Sequence, residues 1–287
     1  MSGTHAALHN PVGRLTRDHP TIVKIGRIGW FAKGVVYLVA GVLAMLLAVK
    51  ASGWSTSVAG ADKEASPTGA LKTIAQLSGG AVLMWALALG MLLYAMWRVV
   101  SALLPGGSDA EAAATRIGYL VSAVMYTTFA ITAISLASSG QSNPDGNAQV
   151  TSISDGVMAH SGGRIMIGVV GVIAIATGIY RLIKGARGDI SDELNLSSIS
   201  PPRRRAIEQL GAVGEIGRGI GIGLIGFFLL RSAVTYDAAE ATGLDGALRR
   251  LAIETWGVVV VVVVGVGFAA YGLFCLATFT HRELQAP

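Results

Sequence analysis

The chain has 287 residues, 52% of them hydrophobic and only 14% charged, with a formal net charge of +5. A soluble domain carries about a quarter charged residues, so this composition and a mean hydropathy of +0.60 exclude a surface that is mostly wetted. A single cysteine, Cys275, excludes an internal disulfide and any CxxC metal pair.

Residues 1–25 form a polar tail with His5, His9 and His19, lacking the short apolar core of a cleaved signal peptide. Six apolar stretches follow: Gly29–Val49, Gly80–Val100, Ile117–Leu136, Ile165–Ile183, Ile216–Val234 and Trp256–Phe279. Each is close to the roughly 20 residues that a helix needs to cross a bilayer. The valine run from Val258 to Val264 favours a strand in water, but in lipid the backbone must satisfy its own hydrogen bonds, which selects a helix. No stretch has an acidic residue in its middle.

Of the 22 Lys and Arg residues, fifteen fall on the side of the two termini and seven on the other. The positive-inside rule then expects a multi-pass protein of the plasma membrane with both termini in the cytoplasm. The same rule absorbs the basic charge, so the expected partner is the lipid bilayer and not nucleic acid. Another membrane protein is a second candidate partner, and the oligomeric state stays open.

Self-comparison divides the chain into three units. Arg27-Ile28-Gly29-Trp30 returns as Arg116-Ile117-Gly118-Tyr119, and the same offset pairs Tyr37 with Tyr126. Glu215-Ile216-Gly217-Arg218 keeps only the Ile-Gly. Gly69-Ala70-Leu71-Lys72 matches Gly246-Ala247-Leu248-Arg249, and the late tyrosines Tyr94, Tyr180 and Tyr271 close the three units. Each unit reads as an outward helix, a short external helix begun by an N-cap at Thr68, Asp155 or Asp245, and an inward helix. The middle external helix is expected to be about one turn shorter. The fold class is therefore all-α, with six transmembrane helices as three parallel two-helix repeats and pseudo-threefold symmetry as the simplest arrangement. Repeat 1 covers 26–104, repeat 2 113–187 and repeat 3 214–280, with a cytoplasmic linker at 188–213 and a tail at 281–287.

This tandem pattern of Ile-Gly openings, Gly-Ala-Leu-Lys/Arg external segments and late tyrosines resembles the bacterial membrane family called domain of unknown function 1206, over nearly the whole chain from Gly26 to Phe279. The resemblance implies architecture and location, and no chemistry. Glu215 in place of the opening arginine, and Ile225 at the position of Tyr37, argue against a strictly threefold functional site.

Few residues propose chemistry. Gly221-x-Gly223-x-x-Gly226 matches a dinucleotide fingerprint as a string, but it lies within an apolar helix with no strand before it. Close helix packing is the better account, with Gly29, Gly118, Gly217, Gly219 and Gly223 as candidate packing residues. The histidines, with His160 and His281 completing the set, do not pair at depth, so no haem, metal or other cofactor is expected. Lys33 and Arg231 are read as snorkelling to headgroups, and Tyr94, Trp97, Tyr180 and Tyr271 as an interfacial belt. Tyr37 and Tyr126 lie about 12 Å along their helices and are candidates for an interhelical hydrogen bond or the lining of a shared cavity. Pro202 is expected to open a short helix along the headgroups, with Arg203, Arg204 and Arg205 contacting anionic lipid. No catalytic residues stand out. The leading expectation is a non-enzymatic accessory or scaffold component of a membrane assembly, and the alternative a transporter or channel for a small neutral or weakly polar solute. A membrane enzyme built around Asp155, His160 and Ser161 ranks third.

Overall fold

The computed structural model describes residues 20–54, 59–103, 110–139, 146–188 and 200–279. The expectations placed on His5, His9, His19 and His281 lie outside those residues. Among the described residues there are nine α-helices and no strand: α1 (Pro20–Ala51), α2 (Pro67–Ala75), α3 (Gly80–Leu103), α4 (Ala110–Ser139), α5 (Gly146–Met158), α6 (Gly163–Arg187), α7 (Pro201–Thr235), α8 (Leu244–Ala252) and α9 (Gly257–Thr278). α1, α3, α4, α6, α7 and α9 are long and apolar enough to cross a membrane. Each repeat is thus long, short, long, and all three start and end on the side that carries the termini.

The spans follow one another around the bundle in chain order. α1 packs on α3, α3 on α4, α6 on α7, α7 on α9, and α9 returns to α1. The interfaces joining successive repeats (α3 with α4, α6 with α7, α9 with α1) are the extensive ones, as a threefold relation requires. One step of the ring is missing: α4 and α6, the two spans of the middle repeat, form no packed interface. The glycines differ between the repeats at this step. A Cβ on Gly29 would come within 2.9 Å of Gly90 O, and one on Gly217 within 2.5 Å of Gly267 Cα, so both pairs permit backbones to touch. Gly90 and Gly267 each precede the late tyrosine by one turn. In the middle repeat that position is Ala176, and a Cβ at the equivalent Gly267 would stand only 2.4 Å from Gly217 Cα. An alanine therefore blocks the close approach. Among the described residues a Cβ on Gly118 would meet nothing within 4 Å, and α6 is the most exposed span.

The short helices close the end of the ring away from the termini. Leu71 of α2 and Leu248 of α8, at matching repeat positions, are fully buried beneath it. The expected N-caps are displaced. Ser66 caps α2, its hydroxyl accepting from Gly69 N at 3.1 Å, because Pro67 at the first helical position fixes the start. Asp155 sits in the last turn of α5. That helix has 13 residues against nine in α2 and α8, so it is longer, not shorter. Asp245 lies in the first turn of α8, whose N-cap is Gly243, and its buried carboxylate joins all three repeats. It accepts from Ala65 N at 2.7 Å, Asn147 Nδ2 at 3.1 Å and Arg249 Nε at 2.8 Å. Arg249 in turn donates to Lys63 O at 2.8 Å.

α7 runs unbroken through 35 residues instead of beginning with a separate helix along the headgroups. Its first turns already carry part of the packing stripe, since Ile207, Gly211, Gly214 and Arg218 are all buried, at helical spacing. Arg203, Arg204 and Arg205 are exposed on its first turn, with Arg204 paired to Glu208 at 2.7 Å.

Candidate functional site

Trp30, Lys33 and Tyr37 are spaced i, i+3, i+7 along α1, which puts them on one helix face, and that face points into the ring. Trp30 is fixed there by donating from Nε1 to Thr278 Oγ1 at 3.0 Å. The result overturns the snorkelling expectation for Lys33, which is 4% exposed. Its stem leads inward, not along lipid, and its ammonium ends among four aromatic rings from four spans. The ring centroids of Trp30, Tyr271, Tyr94 and Tyr126 lie 4.8, 5.1, 5.3 and 5.4 Å away. Cation–π contact at a desolvated site contributes about 2 kcal/mol. Among the described residues no carboxylate comes within ion-pair distance of Lys33.

A second cation lies beside the first. Arg218 of α7 is 8% exposed, and its guanidinium stands 4.0 Å from the Tyr271 ring and 5.4 Å from that of Tyr37. Glu215, one turn earlier, accepts from Arg218 Nη1 at 3.0 Å and from Arg181 Nη1 of α6 at 2.7 Å. One carboxylate thus serves two guanidinium groups, and Arg218 Nε is buried without a hydrogen-bond partner among the described residues. With Lys33 included, three cations face one carboxylate. Arg98 closes the α3 side, donating to Tyr94 Oη from Nε at 3.0 Å and from Nη2 at 2.6 Å.

Tyr94 and Tyr271, expected at the interface, are instead buried at the centre. Tyr180, their counterpart in the middle repeat, is exposed, because α6 does not turn into the ring. Tyr37 packs edge-on against Tyr271 at 5.0 Å and Phe268 at 5.3 Å. Tyr126 packs on Tyr94 at 4.6 Å. Both candidate tyrosines therefore belong to the cluster, one beside Arg218 and the other beside Lys33, and interlocked rings fill the centre in this conformation. Arg231 is half-exposed and paired with Glu240 at 3.0 Å.

The candidate packing glycines fall into three situations. Gly29 and Gly217 meet the second span of their own repeats, as described. A Cβ on Gly219 would stand 2.8 Å from Gly178 O, and one on Gly178 would stand 3.0 Å from Gly223 Cα, so these belong to the α6–α7 contact, whereas Gly118 faces the open seam. The Gly221–Gly226 string lies within α7, without the strand-to-helix turn that phosphate binding needs. No group of three His, Cys, Asp or Glu able to hold a metal occurs among the described residues. His160 is exposed and lies 2.9 Å from Gly156 O through Nδ1.

The aromatic–cationic cluster was missed as a site in the sequence, although two signals carried it. Trp30, Lys33 and Tyr37 share a helical face, and Glu215 and Arg218 are placed for an i, i+3 pair at the mouth of a span. What the sequence hides is that both faces turn toward one another.

A family model described as Domain of Unknown Function (DUF1206) matches residues 28–104, 117–188 and 213–278, one match per repeat. The chain is similar to the uncharacterized protein YxxB of Bacillus subtilis (strain 168), with 30% identity over 268 residues that cover 92% of this chain and 93% of that one. No solved structure matches the chain.

Proposed function

The chain belongs to the family of the Domain of Unknown Function DUF1206, and from that premise, which brings no chemistry with it, we propose that the bundle binds a small organic anion among Lys33, Arg218 and their tyrosines and carries it across the membrane. The observation that carries this reading is the excess of buried cations over carboxylates. Lys33 has aromatic rings and, among the described residues, no carboxylate within ion-pair distance, and Arg218 shares Glu215 with Arg181. An ionisable residue inside a membrane bundle is costly and marks a functional site by default. An uncompensated one costs several kcal/mol, which an anionic ligand would offset. The positive-inside rule explains exposed arginines such as Arg203 to Arg205, but it does not require cations buried at the bundle centre. The tyrosine faces suit a ligand with a planar or apolar body. The solute is thus anionic rather than neutral, and its cargo role is non-enzymatic.

In this reading the termini are cytoplasmic, consistent with the fifteen-to-seven distribution of basic residues, and the cluster lies nearer the inner side. Labelling an introduced S52C with an impermeant maleimide from outside the cell checks the orientation.

The function is tested by thermal unfolding of the purified protein with a panel of carboxylates, phosphate esters and matched neutral compounds. Stabilisation by one anion class that is lost in both K33M and R218M supports the reading. Equal shifts from neutral compounds, or none from any anion, refute it.

The seam favours a second reading, that of an accessory subunit. Gly118 offers a close-approach position that no other described residue occupies, and a partner's helix would fit there. Mass spectrometry of the complex extracted from native membranes, with G118L as control, tests it: a stoichiometric partner lost in G118L supports it, and a lone chain refutes it.

A further inference from the structure

We infer that a groove between α6 and α7 holds one acyl chain of an anionic glycerophospholipid from the leaflet on the side away from the termini. The groove has a volume of about 420 Å³ and is lined by Gly168, Val172, Ile173, Leu230 and Ala233, with Arg164 at one end. Three features select this occupant. The walls are aliphatic apart from that end, which suits a hydrocarbon chain and not a polar solute. From Arg164 to Ile173 the helix rises about 13 Å, close to the half-thickness of a roughly 30 Å hydrocarbon core, so the groove runs the depth of one leaflet. The charge then sits where a headgroup would be. Arg164 Nε donates to Ala233 O at 2.6 Å and Nη2 to Val234 O at 3.2 Å, which locks the guanidinium over the last turn of α7. Among the described residues Nη1 makes no hydrogen bond, and a phosphate oxygen of the lipid supplies its acceptor. Tyr236, 5.9 Å from the guanidinium by its ring centroid and exposed, marks the same interfacial level.

The groove exists because the tight α6–α7 contact is confined to one stripe. Cβ atoms on Gly171 and Gly178 would lie within 3 Å of α7 backbone, whereas one on Gly168 would stand 3.5 Å from Ala233 Cβ, an ordinary contact. At Gly168 the fit is looser, and the groove beside it opens toward lipid. The site is independent of the anion cluster, which lies at the other end of the bundle.

The test is native mass spectrometry of the full chain released from nanodiscs with equal phosphatidylglycerol and phosphatidylcholine. The expected result is one retained lipid per chain with about a fivefold preference for the anionic one, the effect of one basic residue at the headgroups. G168F, whose ring enters the groove, is expected to lose the retained lipid with an unchanged unfolding midpoint, and V172W gives the same readout if G168F does not fold. R164Q is expected to abolish the preference and R164K to keep it. Retention by G168F or V172W equal to wild type, a preference unchanged in R164Q, or no retained lipid at all overturns the proposal.

Discussion

Replacing Lys33 by Met separates a structural role for the buried ammonium from a ligand-binding one. Methionine keeps the length of the stem and most of its contacts, and its thioether gains about 0.3–1.5 kcal/mol from an aromatic neighbour. What it removes is a charge that is 4% exposed and faces four rings, with no carboxylate among the described residues in ion-pair distance. The rings return about 2 kcal/mol against a desolvation cost of several kcal/mol. Replacement of a buried charge by an apolar side chain of similar volume is commonly neutral or stabilising by about 1–4 kcal/mol, and the missing counter-ion places K33M in that range. Unfolding by sodium dodecyl sulfate in mixed micelles, followed by tryptophan fluorescence, measures the difference. The expected outcome is a midpoint equal to or above wild type. A loss of more than about 2 kcal/mol would show that the cage holds the fold together through the cation, and the reasoning from an uncompensated charge would fail.

Three further outcomes follow from the contacts. Glu215→Gln leaves Arg181 and Arg218 without their shared carboxylate and should cost about 3–5 kcal/mol in the same assay. The double variant E215Q/R218M should recover part of that loss. Gly217→Leu drives a side chain into Gly267, whose Cα is 2.5 Å from the would-be Cβ, and should lower the midpoint by at least about 1–3 kcal/mol, whereas Gly118→Leu should be silent because no described residue would lie within 4 Å of its Cβ. Asp245→Ala removes the acceptor shared by Ala65 N, Asn147 and Arg249 at about 1.5–3 kcal/mol for the charged hydrogen bonds. Amide hydrogen exchange should then rise in the 59–75 segment more than in α9.

The spans, their number and the three repeats were legible because hydropathy and the Ile-Gly and tyrosine spacings are local signals. Pairings between distant helices were not. Lys33 looks the same in sequence whether its stem runs along lipid or into a ring. Only the neighbours contributed by α3, α4 and α9 decide the matter, and the Gly29–Gly90 approach is what turns α1 toward α3. Tyr94, Tyr180 and Tyr271 occupy equivalent positions, yet two face the centre and one faces outward. Ala176 stands where the other repeats have glycine, and what that methyl excludes, an approach as close as Gly267 makes to Gly217, appears only once the partner backbone is in place. Asp245 was noticed as a cap because Asp before Gly commonly starts a helix. Its use as a three-way acceptor depends on Ala65 and Asn147, far away in the chain.

The most direct test of the central claim is anion-dependent current from the protein reconstituted into liposomes on a solid-supported membrane, compared among wild type, K33M and R218M. The account predicts a saturable current on concentration jumps of an organic anion that stabilises the protein, absent in both variants and absent with matched neutral compounds. Wild-type currents no larger than those of empty liposomes, or undiminished currents in both variants, would contradict it.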